Sequence, residues 1–275
     1  MRTARKYGLG VFSIVVSIVV FLVPFAFIIL TALKDRQQAS LLEFTWPTSF
    51  HLWDNLVQAI STSNYMLVTA FINSTILSVA GVAILVILSA MVAFVAERRT
   101  SRWSGFINLI MLSGLIIPSS VVPTIWVLQG LGLFKTLPGM ILLEVAGGMS
   151  FCVLLFRAFI SSVPRELDEA AWIDGAGNLR LFFQIVFPLL RPVIVTVIVV
   201  ISIAIFNDFT GPLYFLPGNE NATVQLTLFN FKSQFDTQWN LLFMDIMLIT
   251  IPPSVLFLFF NRQIIAGMAG GAVKG

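Results

Sequence analysis

Long apolar stretches alternate with short polar connections along this chain, a pattern that predicts membrane-spanning helices. A bilayer core about 30 Å thick requires about 20 mainly apolar residues per helix. Six stretches meet this requirement, at about 8–33, 67–95, 104–129, 138–160, 192–210 and 242–261. They leave no tract long enough for a fused soluble domain. The pattern therefore predicts an all-α membrane protein, with residues 1–275 forming a single transmembrane domain.

Composition agrees with a membrane protein and excludes several other classes. Apolar residues make up 58% of the chain and charged residues 11%, whereas soluble domains have roughly 45–50% and about 25%. The net charge of +3 is too small to indicate a nucleic-acid-binding protein. The first apolar run, from Tyr7 to Leu33, is too long for the core of a cleaved signal peptide, so it predicts a retained helix.

The basic residues predict the topology, because Lys and Arg concentrate in cytoplasmic loops. With both termini in the cytoplasm, twelve of the 16 basic residues lie on the inner side. These twelve are Arg2, Arg5, Lys6, Arg98, Arg99, Arg102, Arg157, Arg165, Arg180, Arg191, Arg262 and Lys274. The remaining four, Lys34, Arg36, Lys135 and Lys232, fall on the outer side.

Few residues offer chemistry for an enzyme. Cys152, the only cysteine, lies within a predicted span, and His51, the only histidine, lies in an outer loop. No serine has an evident base, so we predict no catalytic residues and no metal site. An intramembrane enzyme is one alternative hypothesis, but the sequence offers no catalytic pair for it.

The cytoplasmic segment between the fourth and fifth spans contains a predicted short helix at about 164–174. Pro164 suits a first helical position, and Gly175 can end the helix in a left-handed conformation. Acidic residues that favour a helix N-terminus follow the proline, namely Glu166, Asp168 and Glu169. The helix is too charged to enter lipid and too short to be stable alone. We therefore expect it to lie against another surface.

A spaced motif runs through this segment. Glu169-Ala170-Ala171 is followed after three residues by Gly175, after nine more by Ile185, and after two more by Pro188. This spacing resembles the EAA signature of permease subunits of binding-protein-dependent ABC importers. Further matches resemble the maltose-type carbohydrate branch, namely Gly132-Leu133, Phe156-Arg157, Asn207-Asp208-Phe209, Pro212-Leu213 and the terminus 270–275.

The resemblance implies a type I ABC importer permease that moves a di- or oligosaccharide across the bacterial cytoplasmic (inner) membrane by alternating access. The chain has no G-x-x-x-x-G-K-[ST] phosphate-binding loop. It would therefore be a non-catalytic subunit, with ATP and Mg bound by partner ATPase subunits and no cofactor of its own. The implied partners are a second homologous permease, two ATPase subunits, an extracytoplasmic sugar-binding protein and the lipid bilayer, with no nucleic acid.

The resemblance also implies which residues contact the ATPase. In and after the short helix they are Leu167, Glu169, Ala170, Ala171, Ile173, Asp174, Gly175 and Pro188. In the C-terminal tail they are Gly271, Ala272, Val273 and Lys274.

Three acidic residues, Glu144, Asp208 and Asp245, lie in or beside predicted spans, where ionisable groups are costly and by default indicate function. One interpretation is a sugar pathway lined by Asn207, Asp208, Glu144 and Phe206. The alternative interpretation is a hydrated helix end or a hydrogen bond between protein groups. A stand-alone ion-coupled secondary transporter, with the three carboxylates as coupling sites, is the alternative function. The identity of the sugar stays open.

Overall fold

The computed structural model describes residues 2–98, 104–118, 120–232 and 237–272, with side chains described from residue 10 to residue 261. Within those ranges the regular elements are helical, apart from one isolated bridge between Lys232 and Thr237. The helices of five residues or more are α1 (Arg2–Ala32), α2 (Arg36–Ser40), α3 (Leu52–Arg98), α4 (Ser104–Ile116), α5 (Val121–Gly130), α6 (Leu137–Ile160), α7 (Glu166–Ile173), α8 (Asn178–Leu189), α9 (Arg191–Phe206), α10 (Thr210–Phe215) and α11 (Trp239–Ala272).

Four of these helices contain a segment long and apolar enough to cross a bilayer: Gly10–Ala32, Leu52–Arg98, Leu137–Ile160 and Trp239–Asn261. Two bent pairs, α4 with α5 and α8 with α9, raise the number in the described chain to six if each pair counts as one span. The predicted all-α membrane fold is confirmed, and the chain is a multi-pass membrane protein.

Helix α3 begins earlier than the predicted span at 67–95. It extends back to Leu52 and contains a break at Thr62–Tyr65. Ser63, Asn64 and Tyr65 have φ values of +52°, +58° and +60°. Left-handed backbone is unfavourable for residues with a Cβ atom. The break falls in the polar run that precedes the apolar stretch. For this reason hydrophobicity alone predicts that the span begins after the break.

The predicted span at 104–129 is divided into α4 and α5. Pro118 follows the end of α4 and lacks a backbone N–H. Because the residue before a proline disfavours the helical conformation, the helix ends shortly before Pro118. Helix α9 likewise ends at Phe206, before the predicted boundary at 210, and α10 begins as a separate short helix.

The chain forms two compact units, one of residues 1–69 and 226–251 and the other of residues 70–225 and 252–275. The first has a small apolar core that includes Ala59, Leu241 and Met244. The second has a larger core that includes Leu85, Phe156 and Leu190. The motif loop and the carboxylates Glu144 and Asp208 belong to this second unit.

Candidate functional site

Helix α7 runs from Glu166 to Ile173, about 12 Å at 1.5 Å per residue. Its C-terminus is closed by two backbone bonds, from Gly175 N–H to the Trp172 carbonyl (3.0 Å) and from Ala176 N–H to the Ala171 carbonyl (2.9 Å). This is a Schellman motif, which requires left-handed backbone at the residue after the cap. Gly175 occupies that position with φ +79°, so the glycine of the sequence motif sets the turn.

Helix α7 has one exposed and one buried face. Glu169 and Ala170 are exposed, and Ile173 is 86% exposed. Asp168 and Ala171 are buried, with Ala171 packed in the core of the second unit. Of the other predicted coupling residues, those that are exposed are Leu167, Asp174, Gly175 and Pro188.

The buried face carries a charge. Asp168 Oδ2 lies 2.7 Å from Arg98 Nε, at the last residue of α3. Burial raises the pKa of Asp168, while the charges of Arg98 and Arg165 lower it by less. The sequence singled out Asp168 only for its favourable position in the first helical turn. Its partner comes from α3, far away in the chain.

The remainder of the motif lies in α8, which contains a π-helical turn at Leu181–Val186. Ile185 is half-buried against the core and Pro188 is exposed. Leu190, at the 76° bend between α8 and α9, is fully buried. The motif loop is thus anchored in the apolar core on both sides of Gly175.

A cavity of about 560 Å³ lies in the second unit and contains two of the four predicted pathway residues, Glu144 and Asp208. The described residues that line it are Gly114, Ile117, Val121, Thr124, Met140, Leu143, Glu144, Ala146, Gly147, Asp208, Thr210, Gly211 and Phe215. The Asp208 carboxylate accepts hydrogen bonds from the Thr210 N–H (3.1 Å) and the Gly211 N–H (3.1 Å). Acidic groups therefore face an otherwise largely apolar space.

The other two predicted pathway residues do not line this cavity. Asn207 is exposed, and its Oδ1 accepts a hydrogen bond of 3.1 Å from Gln225 Nε2. Phe206 is buried, with its ring centroid 6.3 Å from that of Phe71. Asp245 lies in the first unit, where it is fully buried and accepts a 2.8 Å hydrogen bond from Thr227 Oγ1. For Asp245 the geometry matches the alternative interpretation, a hydrogen bond between protein groups.

The predicted tail contact falls at the edge of what the structure describes. Gly271 and Ala272 are the last residues of α11. Val273 and Lys274 lie outside the described residues. In the described part of the chain, no three His, Cys, Asp or Glu side chains form a group that could hold a metal ion.

The end of α3 is the part of the site that sequence reasoning missed. From the sequence, Arg98 serves only as a topology marker, and Glu97 belongs to no motif. Both nevertheless contact the segment that leads into α7. The available signal was that the charge rule places Arg98 and Asp168 on the same side of the membrane, where opposite charges can pair.

Comparison with known proteins agrees with this geometry. The family model described as "Binding-protein-dependent transport system inner membrane component" matches residues 86–269. The chain is 31% identical to the melibiose/raffinose/stachyose import permease protein MelC of Bacillus subtilis over 281 residues, covering 100% of both chains. It is 30% identical to the probable starch degradation products transport system permease protein AmyC of Thermoanaerobacterium thermosulfurigenes, covering 98% of this chain and 97% of AmyC.

A solved structure shares the fold. A chain of a bacterial ABC transporter involved in the import of the acidic polysaccharide alginate has a TM-score of 0.82 at 18% identity, covering 95% of this chain and 98% of that one. Because the chain matches this family, the alternative hypothesis of a stand-alone ion-coupled secondary transporter is wrong. The motif loop, the helical fold and the match over residues 86–269 lead to one conclusion: the chain belongs to the family of inner membrane components of binding-protein-dependent transport systems.

Proposed function

We propose that this permease imports a neutral di- or oligosaccharide across the bacterial cytoplasmic membrane, using ATP hydrolysed by separate subunits. The observation that carries the proposal is the two-faced geometry of α7. One face is buried against the chain's own core, and the other face carries the exposed residues Glu169, Ala170 and Ile173. A short amphipathic helix with a free face suits docking into a groove on a partner protein.

Residues on the free face have distinct roles in this proposal. Glu169 provides the polar contact, and Ala170 allows the partner backbone to approach closely. Ile173, which is 86% exposed, is costly to leave in water and gains most from burial in a groove. Gly175 sets the angle between α7 and α8, and Leu167, Asp174 and Pro188 border the contact. Buried Ala171 packs α7 against its own subunit.

The complex contains a second homologous permease, two ATPase subunits that bind ATP and Mg, and an extracytoplasmic sugar-binding protein. Support comes from a second solved structure, a bacterial alginate ABC transporter in complex with an alginate pentasaccharide-bound periplasmic protein, which has a TM-score of 0.66 at 16% identity. Both termini of this chain lie in the cytoplasm, in accord with the inner-side excess of Lys and Arg. The tail 271–274 reaches the ATPase interface.

The cavity with Glu144 and Asp208 forms part of the sugar pathway in this proposal. Carboxylates accept hydrogen bonds from sugar hydroxyl groups. Among the described residues that line the cavity there is no Lys or Arg to balance these two acids. An anionic sugar would therefore meet like charges without compensation, which favours a neutral sugar. The relatives' names point the same way, since melibiose, raffinose and stachyose are neutral.

The proposal is tested by purifying the tagged chain in detergent from its own bacterium and reconstituting the complex in vesicles. A nucleotide-binding subunit should copurify. Uptake of labelled melibiose, raffinose or stachyose, presented with the external binding protein, should require ATP. A proton gradient without ATP should not support uptake, and alginate oligosaccharide should not be imported. ATP-independent uptake, or absence of an ATPase subunit, would contradict the proposal.

A further inference from the structure

A buried ion pair joins the end of α3 to α7. Arg98 Nε lies 2.7 Å from Asp168 Oδ2, and the two side chains are only 8% and 6% exposed. Arg98 also donates a 2.9 Å hydrogen bond from Nη2 to the carbonyl of Val163, just before α7. One arginine at the end of a long helix therefore holds both the entry to α7 and its buried face.

A second set of contacts fixes the same junction. Glu97 accepts a hydrogen bond at its backbone carbonyl from Arg165 Nη2 (3.2 Å), and its side chain pairs with Arg157 Nε (3.3 Å). Arg157 Nη1 in turn donates to Asn108 Oδ1 (2.6 Å). The last two residues of α3 thus contact the chain at four residues between the last turn of α6 and the first turn of α7, namely Arg157, Val163, Arg165 and Asp168.

The cost of the Arg98–Asp168 pair indicates that stability alone does not explain it. Removing two charges from water often costs as much as their attraction returns, and an apolar replacement can be equally stable. Burial raises the pKa of Asp168 more than the nearby arginines lower it, which shows the same imbalance. What a buried pair does provide is one defined geometry, because either charge without its partner is strongly unfavourable.

The rest of α3 is well placed to receive a displacement. Between residues 70 and 98, α3 contributes apolar side chains at helical spacing to the same core as α6 and α9; they are Leu77, Val82, Leu85, Val86, Ala90 and Ala93. Close-packed interiors transmit displacement rather than absorb it. A rigid contact at Arg98 therefore links α7 to the helices of the second unit.

We propose that Arg98 and Asp168 form a positioning joint that transmits movement of α7 to α3, so that ATP hydrolysis on a partner subunit is converted into movement of the transmembrane helices. This inference rests on the proposed function, in which the ATPase moves α7. The two residues contact neither nucleotide nor sugar. They act through α7, and loss of the joint leaves α7 docked on the ATPase but mechanically uncoupled from α3.

The test compares Arg98→Gln and Asp168→Asn with wild type in the reconstituted complex. Glu166→Gln is the matched control, because it removes an acidic charge from the same turn of α7 at an exposed position. Three quantities are measured: the amount of ATPase subunit that copurifies with the permease, the ATP hydrolysed and the labelled sugar imported. The sugar is the one of the labelled sugars named above that the wild-type complex imports. The number of sugars moved per ATP reports coupling independently of how much complex assembles.

We expect the sugar-to-ATP ratio to fall about tenfold in both single variants, within the usual range of coupling between sites. Assembly should be retained, and the Glu166→Gln ratio should match wild type. The exchange Arg98→Asp with Asp168→Arg should recover part of the ratio. If assembly, ATP hydrolysis and sugar import all fall while the sugar-to-ATP ratio stays the same, the ion pair has only a structural role. That result would contradict the proposed joint. A wild-type complex that lacks an ATPase subunit instead overturns the proposed function, and the joint with it.

Discussion

Asn240 Nδ2 donates a 2.7 Å hydrogen bond to Asn55 Oδ1, and the amide of Asn55 donates in turn to the carbonyls of Ala32 and Lys34, both at 2.8 Å. Both asparagines are buried. The carbonyl groups at the end of α1 cannot all be satisfied within the helix. Asn55 supplies the donor for two carbonyls, one at the last residue of α1 and one two residues beyond it, so this side chain links the end of α1 to α3 and α11 within the first unit.

Replacing Asn55 with Leu should therefore destabilise the protein. The substitution leaves buried carbonyls without donors, at about 1–3 kcal/mol for each unsatisfied group. The measurement is thermal unfolding of the detergent-solubilised chain. The neighbouring Asp54→Leu, at a side chain that is 66% exposed, is the control and should have a small effect. Equal destabilisation by the two variants would show that the hydrogen bonds of Asn55 contribute little.

Gly175 and Glu169 give a second prediction, on coupling. A side chain at Gly175 would meet nothing within 4 Å, so its cost comes from φ +79° alone. Asn tolerates left-handed backbone better than a β-branched residue does. Gly175→Asn should then keep most ATP-driven uptake and Gly175→Val should lose it, while Glu169→Lys should abolish uptake through charge reversal. Membrane insertion, measured as permease in washed membranes, should be unchanged in all three.

The contrast between Asn and Val at Gly175 separates backbone geometry from bulk. If both variants transport normally, the left-handed turn is not needed for coupling. If Glu169→Lys also transports normally, the exposed face of α7 is not the ATPase contact.

The parts of the molecule that the sequence predicted are those controlled by local chemistry. Apolar length predicts spans because lipid cannot hydrogen-bond to backbone groups. Acidic residues in the first turn and Gly175 at the end predict α7 because both act on neighbouring backbone. The predicted ends of the helices are less accurate where a helix contains a break in its backbone, as α3 does at Ser63.

Contacts between distant residues could not be predicted in the same way. Glu144 and Asp208 lie 64 positions apart in the numbering and meet at one cavity only because α6 and α10 pack together. Asn207, adjacent to Asp208, turns instead toward Gln225. The direction of a side chain at a helix end depends on tertiary packing, which neither spacing nor composition encodes.

Asp208 provides a third prediction, on sugar transport. Asp208→Ala should reduce sugar uptake or change sugar preference more than it reduces copurification of the ATPase subunit, because the carboxylate faces the cavity rather than α7. Asp208→Asn keeps the shape and one acceptor oxygen, so it should retain part of the uptake. Equal loss of assembly and uptake in Asp208→Ala would assign the residue to the local turn at Thr210 and Gly211 instead.

Thr227 and Asp245 give a fourth prediction, through a double-mutant cycle. Thr227→Val leaves the buried carboxyl group without its donor and should cost about 1–3 kcal/mol of unfolding free energy. Thr227→Val with Asp245→Leu removes both polar groups and should be less destabilising than the sum of the single changes. Additive effects in thermal unfolding would show that the two side chains do not interact energetically.

The last prediction concerns the pH dependence that Asp168 confers on stability. Burial raises its pKa above the ordinary value, so the folded chain binds this proton more tightly than the unfolded chain does. Stability then falls as pH rises through the raised pKa. Arg98 and Arg165 are the positive charges that act on this carboxylate and oppose the effect of burial. Asn cannot titrate, so the unfolding temperature of wild type minus that of Asp168→Asn should decrease from pH 4 to pH 7. Groups elsewhere titrate in both proteins and cancel in the difference. A difference that increases with pH would mean that attraction to the arginines outweighs burial, and that the ion pair stabilises the fold in its charged form.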